Sequence, residues 1–268
     1  MSNNIFHLKS CPVNPTKEYA DSIKIPEDTT EIISQGGGST IDVGKWLAKK
    51  YNLKHTVIPT TAGTGSEVTK YCVLTVDGKK VTFEDEKFIP TGYLLDPKLV
   101  TTCPKEVTIS AGLDALSQAL ESLWSKNATP QSMFYSEMAL NLIPKNLIES
   151  IKNPEDLTAR MNMLIAAQFA GRAINITKTN VCHAISYPLT ELYGIPHGIA
   201  CGLTLGYFAK KIFNGDFQEY IKGLELPQYD IDIDKVASIA VENEKLKDCP
   251  IEITKQDIID SFKIWYNK

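Results

Sequence analysis

Short apolar runs alternate with glycine- and proline-rich breaks over the first hundred residues. Residues 30–34 form a β-branched strand candidate that leads into a run of glycines, and residues 41–48 then have the spacing of a helix. Further strand candidates lie at residues 55–59 and 71–76, and the second of these ends at an Asp-Gly turn signal. Strands separated by helices predict a parallel α/β sheet in this half of the chain.

The pattern changes near residue 100, where strand candidates give way to helical spacing. We predict helices at residues 110–125, 130–151, 157–174 and 236–245. The apolar stripe of the first helix would be formed by Leu113, Leu116, Leu120 and Leu123. The chain is therefore expected to contain an α/β domain over residues 1–100 and an all-α domain over residues 101–268.

Composition restricts the classes of function that fit. The chain has 268 residues, of which 43% are hydrophobic and 22% are charged, so it can form a globular core. A net charge of −4 gives no electrostatic footprint for nucleic acid or an anionic membrane, and no apolar run is long enough to span a bilayer. Six cysteines without a C-x-x-C pair are typical of reduced thiols, and the first residues lack a signal-peptide pattern. We therefore expect a cytoplasmic protein.

Two loops have sequences suited to the phosphates of a nucleotide. Gly36-Gly37-Gly38-Ser39 lies between a strand and a helix, where backbone N–H groups without nearby Cβ atoms can face an oxyanion. Alone, this sequence is equally consistent with a tight turn. The second loop, residues 59–67, follows the next strand and is rich in glycine and threonine. Because ligands bind at the carboxyl ends of parallel strands, two such loops in succession favour a dinucleotide site.

Two of the four histidines lie close enough in sequence to converge on one metal ion. His183 and His197 are separated by Pro188 and by Gly194-Ile195-Pro196, which would provide the turn between them. Neutral imidazole is a good ligand for a divalent transition metal. Each histidine alone is more often structural than a ligand, so the prediction depends on finding a carboxylate partner.

A carboxylate and an amide on the first predicted helix of the second half would complete such a site. Asp114 and Gln118 are four positions apart, opposite the leucine stripe, and Glu121 and Ser125 continue this polar line. One carboxylate and two imidazoles suit a divalent metal, and the Gln118 oxygen would be a weaker fourth ligand. The alternative interpretation of the polar line is a solvated helix face.

Taken in order, these motifs resemble those of the iron-containing alcohol dehydrogenase superfamily. The resemblance includes both glycine loops, residues 95–97, residues 112–116 and residues 183–198, and it covers nearly the whole chain. It implies a dehydroquinate synthase-like fold with NAD(P)H and a divalent metal, iron or zinc, in the cleft between an α/β and an all-α domain. It also implies metal ligands at Asp114, Gln118, His183 and His197, and cofactor contacts at Gly37, Gly38, Ser39, Asp42, Thr60, Thr61, Thr64, Ser66 and Lys80.

The sequence departs from the usual family pattern in three places. Gln118 stands where most members have histidine, and Tyr187 stands where a second histidine commonly lies near the nicotinamide. Both residues are typical of the phosphonoacetaldehyde reductases, a subgroup that residues 114–125 and 170–190 resemble. In addition, only 35 residues precede Gly36. This implies an incomplete nucleotide domain without an early βαβ unit, which in the family carries an acidic ribose contact.

The resemblance implies reduction of an aldehyde to a primary alcohol, with phosphonoacetaldehyde converted to 2-hydroxyethylphosphonate as the expected reaction. Tyr187 would relay a proton, and a structural role for this residue is the alternative. Arg172 and Lys178, just ahead of His183, are expected to bind the phosphonate through charge-assisted hydrogen bonds. The alternative is that they are surface or interdomain charges.

Two further functions are consistent with the sequence. One is a generic short-chain alcohol dehydrogenase for uncharged substrates, and the other is a truncated, non-catalytic family member that serves as a binding or assembly partner. The resemblance alone suggests a homodimer, and we expect no nucleic-acid or membrane partner. The sequence distinguishes neither NAD from NADP nor iron from zinc.

Overall fold

A four-stranded parallel sheet forms the centre of the first half of the molecule. The structure, a computed structural model, describes residues 4–266, apart from the side chains of residues 264 and 266. The elements of this half are β1 (Ile5–Leu8), α1 (Lys17–Ser22), β2 (Glu31–Gly36), α2 (Gly38–Tyr51), β3 (Lys54–Pro59), β4 (Tyr71–Val76), β5 (Lys79–Glu84) and β6 (Gly92–Tyr93). The sheet order is β1-β2-β3-β6, with every pair parallel. The predicted parallel α/β fold is confirmed.

Strand β2 and helix α2 place the first glycine loop at the carboxyl edge of the sheet. Every second residue of β2 is buried, as expected for a strand that packs one face on a helix. Helix α2 begins directly after Gly37, and its residues Val43 and Leu47 are fully buried in the same core as Ile32 of β2. The loop therefore ends at the amino terminus of a helix whose first N–H groups lack helical partners.

A βαβ unit precedes the glycine loop, whereas the sequence led us to expect that an early unit of this kind is missing. Strand β1 pairs parallel with β2, from Ile5 opposite Glu31 to Leu8 opposite Ser34, and α1 forms part of the connection. Because β1 has four residues and only Leu8 is buried, its sequence gives little periodic signal. The strand covers one edge of β2, which the sequence interpretation left open.

The hairpin of β4 and β5 is antiparallel and lies outside the parallel sheet. Its two-residue turn has positive φ at both Asp77 (49°) and Gly78 (77°), the geometry that suits the twist of a hairpin. Alternate residues of β5 share one face, so Lys80, Thr82 and Glu84 point the same way. This face lies against the helical half, because the Thr82 hydroxyl is 3.4 Å from that of Tyr187 and Glu84 forms an ion pair with Lys178.

The second half consists of helices, as predicted. They are α3 (Lys105–Trp124), α4 (Pro130–Lys152), α5 (Leu157–Thr177), α6 (Val181–Tyr193), α7 (His197–Phe213), α8 (Gln218–Lys222), α9 (Ile233–Ala240) and α10 (Lys255–Tyr266). The helix predicted at 236–245 is instead α9, followed by a separate 3₁₀ helix at Glu244–Asp248.

The prediction that Pro188 helps to turn the chain between the two histidines was wrong. Pro188 is buried inside α6, which continues to Tyr193, and the turn is made by residues 194–196 alone. Proline removes one N–H from the helical ladder, so its sequence signal favours a break. Here the helix is held by the packing of its apolar residues, among them the fully buried Ile185 and Leu189.

The apolar core has two parts. One cluster of buried residues runs from Leu8 to Phe88 and holds α2 against the sheet, and the other runs from Ile109 to Phe262 and joins the helices. Within residues 4–266, no helix is long and apolar enough to cross a membrane.

A candidate metal site beside two glycine loops

Three helices bring one carboxylate, two imidazoles and one thiol together. Asp114 lies in the middle of α3, His183 in the first turn of α6, and His197 and Cys201 in the first two turns of α7. One potential ligand atom from each of the four lies within 4.8 Å of the others. His183 Nε2 is 3.3 Å and His197 Nε2 is 3.9 Å from the same Asp114 oxygen.

Two glycines explain how α6 and α7 reach this arrangement. Gly194 ends α6 with φ of 66°, a left-handed conformation that glycine adopts without strain. Gly198, directly after His197, allows the start of α7 to touch α3, since a Cβ there would lie 1.7 Å from the Ser110 carbonyl oxygen. The close approach places His197 beside Asp114.

Glu121 orients the His183 ring from the side opposite Asp114. It lies two helical turns after Asp114 on α3, is fully buried, and pairs with His183 Nδ1. Its other oxygen accepts the backbone N–H of His183 at 3.2 Å and that of Cys182. A carboxylate that is hydrogen-bonded to one ring nitrogen directs the other nitrogen toward a metal. Carboxylates are common outer partners of ligating histidines for this reason.

The interpretation of the α3 polar line as a solvated face was therefore wrong. Glu121 is fully buried, and only 6% of Ser125 is exposed. The spacing of Glu121 from Asp114 was visible in the sequence, but the helices that cover it were not. Cys201, four residues after His197, was also missed, although this spacing places both on one face of a helix.

Ser186 fixes the tautomer of His197. Its hydroxyl donates to the His183 carbonyl oxygen at 2.8 Å, so its oxygen is left to accept from His197 Nδ1 at 3.2 Å. The lone pair of His197 then lies on Nε2, which faces Asp114. Burial lowers the pKa of His197, and the charges of His183 and Lys80 lower it further, so the ring is neutral at physiological pH.

The ionisation of Asp114 and His183 is coupled. Burial would raise the pKa of Asp114, but its hydrogen bond from His183 and the nearby imidazoles lower it below the ordinary value. Burial would lower the pKa of His183, yet Cys201, Glu121 and Asp114 together raise it well above the ordinary value. The carboxylates of Asp114 and Glu121 on either side of the ring therefore favour the protonated form of His183.

The Gln118 side chain links the metal cluster to the second glycine loop. Its amide nitrogen donates to Asp114 Oδ1 at 3.1 Å and to the Thr64 carbonyl oxygen at 3.3 Å. Because both neighbours are acceptors, the amide cannot be reversed without losing both hydrogen bonds. Its oxygen is buried and has no hydrogen-bond partner among the described residues. The metal cluster, with Gln118 beside it, offers donor groups that fit a divalent transition metal: Asp114, His183, His197 and Cys201.

The two glycine loops pack against each other at the carboxyl ends of β2 and β3. The Thr60 N–H donates to the Gly36 carbonyl oxygen at 3.0 Å. A Cβ on Gly37 would lie 3.3 Å from the Thr61 hydroxyl, and one on Gly38 would lie 2.7 Å from Thr64 Cγ2. The structure thus brings together the predicted cofactor contacts Gly37, Gly38, Ser39, Thr60, Thr61 and Thr64 at the amino terminus of α2. Such a helix end attracts phosphate groups.

Asp42 and Ser66, also predicted to contact the cofactor, are placed behind this surface. One Asp42 oxygen accepts the Ser66 hydroxyl at 2.8 Å and the other accepts the Val73 N–H at 3.0 Å. Burial raises the pKa of Asp42, and the nearby Lys45 opposes that shift. Asp42 thus ties α2 to the second loop and to β4.

Tyr187 and two ammonium groups lie near His197. The Tyr187 ring is 6.3 Å from the His197 ring, and its hydroxyl is 3.4 Å from that of Thr82. Lys245 Nζ lies 5.5 Å from the Tyr187 ring centre and donates to the Thr179 hydroxyl at 3.0 Å. Burial raises the pKa of Tyr187, but Lys245, the Thr82 hydroxyl, His183 and Lys80 lower it more, so the net pKa is below the ordinary value.

The two cations predicted to bind a phosphonate have other partners in this structure. Lys178 forms an ion pair of 2.9 Å with Glu84 on β5, and both side chains are more than a third exposed. Arg172 donates to the Tyr93 hydroxyl at 3.4 Å and lies over the Tyr135 ring. Glu84 is four residues from Lys80 along β5, or roughly 13 Å. The charge of Lys80 is among those that lower the pKa values of His197 and Tyr187.

Sequence profiles of known families match both halves of the chain. The profile for iron-containing alcohol dehydrogenases matches residues 9–97, and the profile for the C-terminal region of that family matches residues 108–220. The chain is 33% identical over 170 residues to maleylacetate reductase 2 of Cupriavidus pinatubonensis, covering 63% of this chain and 47% of that protein. It is 38% identical over 151 residues to phosphonoacetaldehyde reductase of Streptomyces viridochromogenes, covering 56% of this chain and 38% of that protein.

The fold matches solved structures over a greater length. Sulfoacetaldehyde reductase from Bifidobacterium kashiwanohense, crystallised with NAD+, has a TM-score of 0.82 and 31% identity, covering 94% of this chain and 81% of that one. The chain spans about half the length of the curated relatives that it matches.

Proposed function

Because the chain belongs to the iron-containing alcohol dehydrogenase family, we propose that it is a metal-dependent oxidoreductase that reduces an aldehyde to a primary alcohol with NAD(P)H. One observation carries this proposal. Gln118 is hydrogen-bonded at once to Asp114 of the metal cluster and to Thr64 of the glycine loop. A coenzyme bound at the loops would therefore extend toward a metal bound at the cluster.

The chain's own groups have three tasks in this reaction. When bound, the metal polarises the aldehyde oxygen and the nicotinamide supplies the hydride. Asp114, His183 and His197 would hold the ion, and the amino terminus of α2 would hold the coenzyme phosphates. Tyr187 supplies a proton to the product oxygen, since its ring lies 6.3 Å from that of His197 and neighbouring cations help to lower its pKa. Aldehyde, NAD(P)H and a proton give alcohol and NAD(P)+.

We further propose that the substrate is phosphonoacetaldehyde, which gives 2-hydroxyethylphosphonate. Lys245 and Lys80 support an anionic substrate, because both influence Tyr187 and His197 and neither forms an ion pair with a described carboxylate. The position of Lys245 in the helical half, away from the strands that carry the glycine loops, supports a contact with the substrate rather than with the coenzyme. The clamp of Arg172 and Lys178 predicted from the sequence is the alternative position for the phosphonate.

Steady-state kinetics of the metal-loaded protein test this proposal. We would compare phosphonoacetaldehyde with acetaldehyde, using each coenzyme. The variant Lys245→Ala should raise the Michaelis constant for phosphonoacetaldehyde by about 10-fold or more, the value of one charge-assisted hydrogen bond, and leave that for acetaldehyde nearly unchanged. Lys247→Ala is the matched control, since Lys247 lies in the same 3₁₀ helix and is 77% exposed.

The other outcomes separate the alternatives. The Michaelis constant for phosphonoacetaldehyde could instead rise in Arg172→Ala or Lys178→Ala and stay unchanged in Lys245→Ala. This result would indicate that Arg172 and Lys178 bind the phosphonate, as predicted from the sequence. Equal preference for both aldehydes in the wild type would indicate a generic alcohol dehydrogenase. Failure to oxidise either coenzyme with any aldehyde, in protein that holds metal, would contradict the proposed activity.

A further inference from the structure

The Cys201 thiol is part of the metal cluster, although no feature of the sequence singled it out. It lies one helical turn after His197 on α7, and it is fully buried. Its sulfur lies within 4.8 Å of the ligand atoms of Asp114, His183 and His197. A thiol in this position competes with Gln118 for the role of fourth ligand.

The hydrogen bonds of Gln118 give its amide a different task. Its nitrogen is held by the Asp114 carboxylate and the Thr64 carbonyl, so Gln118 orients Asp114 and attaches the loop to α3. A neutral amide oxygen is also a weaker ligand for a transition metal than a thiolate. Gln118 therefore fits the role of an outer partner of Asp114.

We propose that Cys201 is the fourth protein ligand of the ion held by Asp114, His183 and His197, and that Gln118 is not. This inference rests on the metal site of the proposed function. When the ion binds, the Cys201 thiol loses its proton to solvent and the sulfur donates an electron pair to the metal. Because a thiolate is a soft ligand, one sulfur, two nitrogens and one oxygen favour zinc over iron(II).

Absorption spectroscopy of the cobalt(II) protein tests the ligand directly. Cobalt(II) replaces zinc in such sites, and a cysteine thiolate bound to it gives an intense near-ultraviolet charge-transfer band that nitrogen and oxygen ligands do not give. We would add cobalt to the full-length metal-free chain and measure the band and the bound metal on the same sample. Wild type and Gln118→Ala should both show the band.

Two cysteine variants complete the design. Cys201→Ser should lose the band and bind zinc more weakly by more than the roughly 10–100-fold that the loss of an outer partner costs. Cys249→Ala is the matched control, because Cys249 is another fully buried thiol outside the cluster, and it should keep the band. Absence of the band in the cobalt-loaded wild type would overturn the inference even if a variant fails to fold.

The outcomes distinguish this inference from the proposed function. Stoichiometric cobalt without the band in the wild type would overturn Cys201 as a ligand and leave the metal-dependent reductase intact. A band that persists in Cys201→Ser would also overturn it. Failure of the wild type to bind cobalt or zinc at all would overturn the metal site itself, and with it both proposals.

Discussion

At the scale of single residues, the buried carboxylate of Glu121 determines which nitrogen of His183 faces the metal cluster. Glu121→Gln keeps an oxygen for the backbone N–H groups of Cys182 and His183, but its amide hydrogens oppose the proton on His183 Nδ1. We expect metal affinity to fall roughly 10–100-fold, measured by competition with a chromophoric chelator. Glu137→Gln, at an exposed position of α4, is the control. Unchanged affinity in Glu121→Gln would show that the pairing does not orient the ligand.

His55 makes stability depend on pH. It is 3% exposed, its Nε2 lies 2.9 Å from the Ser34 hydroxyl, and burial together with the charge of Lys45 lowers its pKa from 6.5 to about 3. Between these values the unfolded chain binds a proton that the folded chain does not, so stability falls as pH falls from 6.5 toward 3. Replacing His55 by Gln should reduce the slope of unfolding free energy against pH by about 1.4 kcal/mol per unit. Urea titrations at several pH values measure this slope, and an identical slope in the variant would refute the assignment.

The sequence identified those residues whose side chains are common metal ligands. Asp114, His183 and His197 were selected by spacing and donor type, and the structure places them together. Glu121 and Cys201 were missed because their roles depend on how α6 and α7 rotate against α3. The spacing of residues along one helix gives no information about how that helix is rotated against its neighbours.

At the scale of elements, the contact between α3 and α7 holds the metal cluster together. Gly198→Ala would place a methyl group against the Ser110 carbonyl and the Asp114 N–H, which lies 3.0 Å from the added carbon. The helices must separate, so we expect a loss of about 1–3 kcal/mol in unfolding free energy and weaker metal binding. Denaturant midpoints and chelator competition report the two effects.

A matched glycine shows whether the effect is local. Gly92→Ala adds a carbon that would meet only the Thr56 hydroxyl at 3.6 Å, an ordinary contact. It should therefore change stability by no more than about 0.5 kcal/mol. If Gly198→Ala behaved like Gly92→Ala, the helices would not be held at the distance that this account requires.

Elements with clear periodicity were predicted well, and those with mixed signals were not. Strands β2 and β3 and helices α4 and α5 lie within three residues of the predicted bounds, because β-branched runs and apolar stripes are local features. Helix α6 was missed because Pro188 favours a break, and α7 because its glycines lower helix propensity. Tertiary packing overrides both signals.

At the scale of the whole molecule, the second glycine loop joins the two halves. Gly65, with φ of 58°, lies against Gly171 of α5 so closely that a Cβ on Gly171 would be 2.6 Å from the Gly65 carbonyl oxygen. The Lys70 N–H donates to the Asn175 side chain at 2.8 Å on the same side. The sequence predicted both halves, but this docking depends on backbone shape that the residues of either half alone do not reveal.

The most direct test of the account is a fluorescence titration of NADH and of NADPH against the purified full-length chain, with the bound metal quantified on the same sample. We expect saturable binding of at least one coenzyme by protein that holds nearly one divalent ion per chain. We also expect Asp114→Asn to lose the metal but still bind the coenzyme, because the two glycine loops are held mainly by their contacts with each other and with Asp42. Wild-type protein that binds neither coenzyme nor metal would contradict the account and favour a non-catalytic family member.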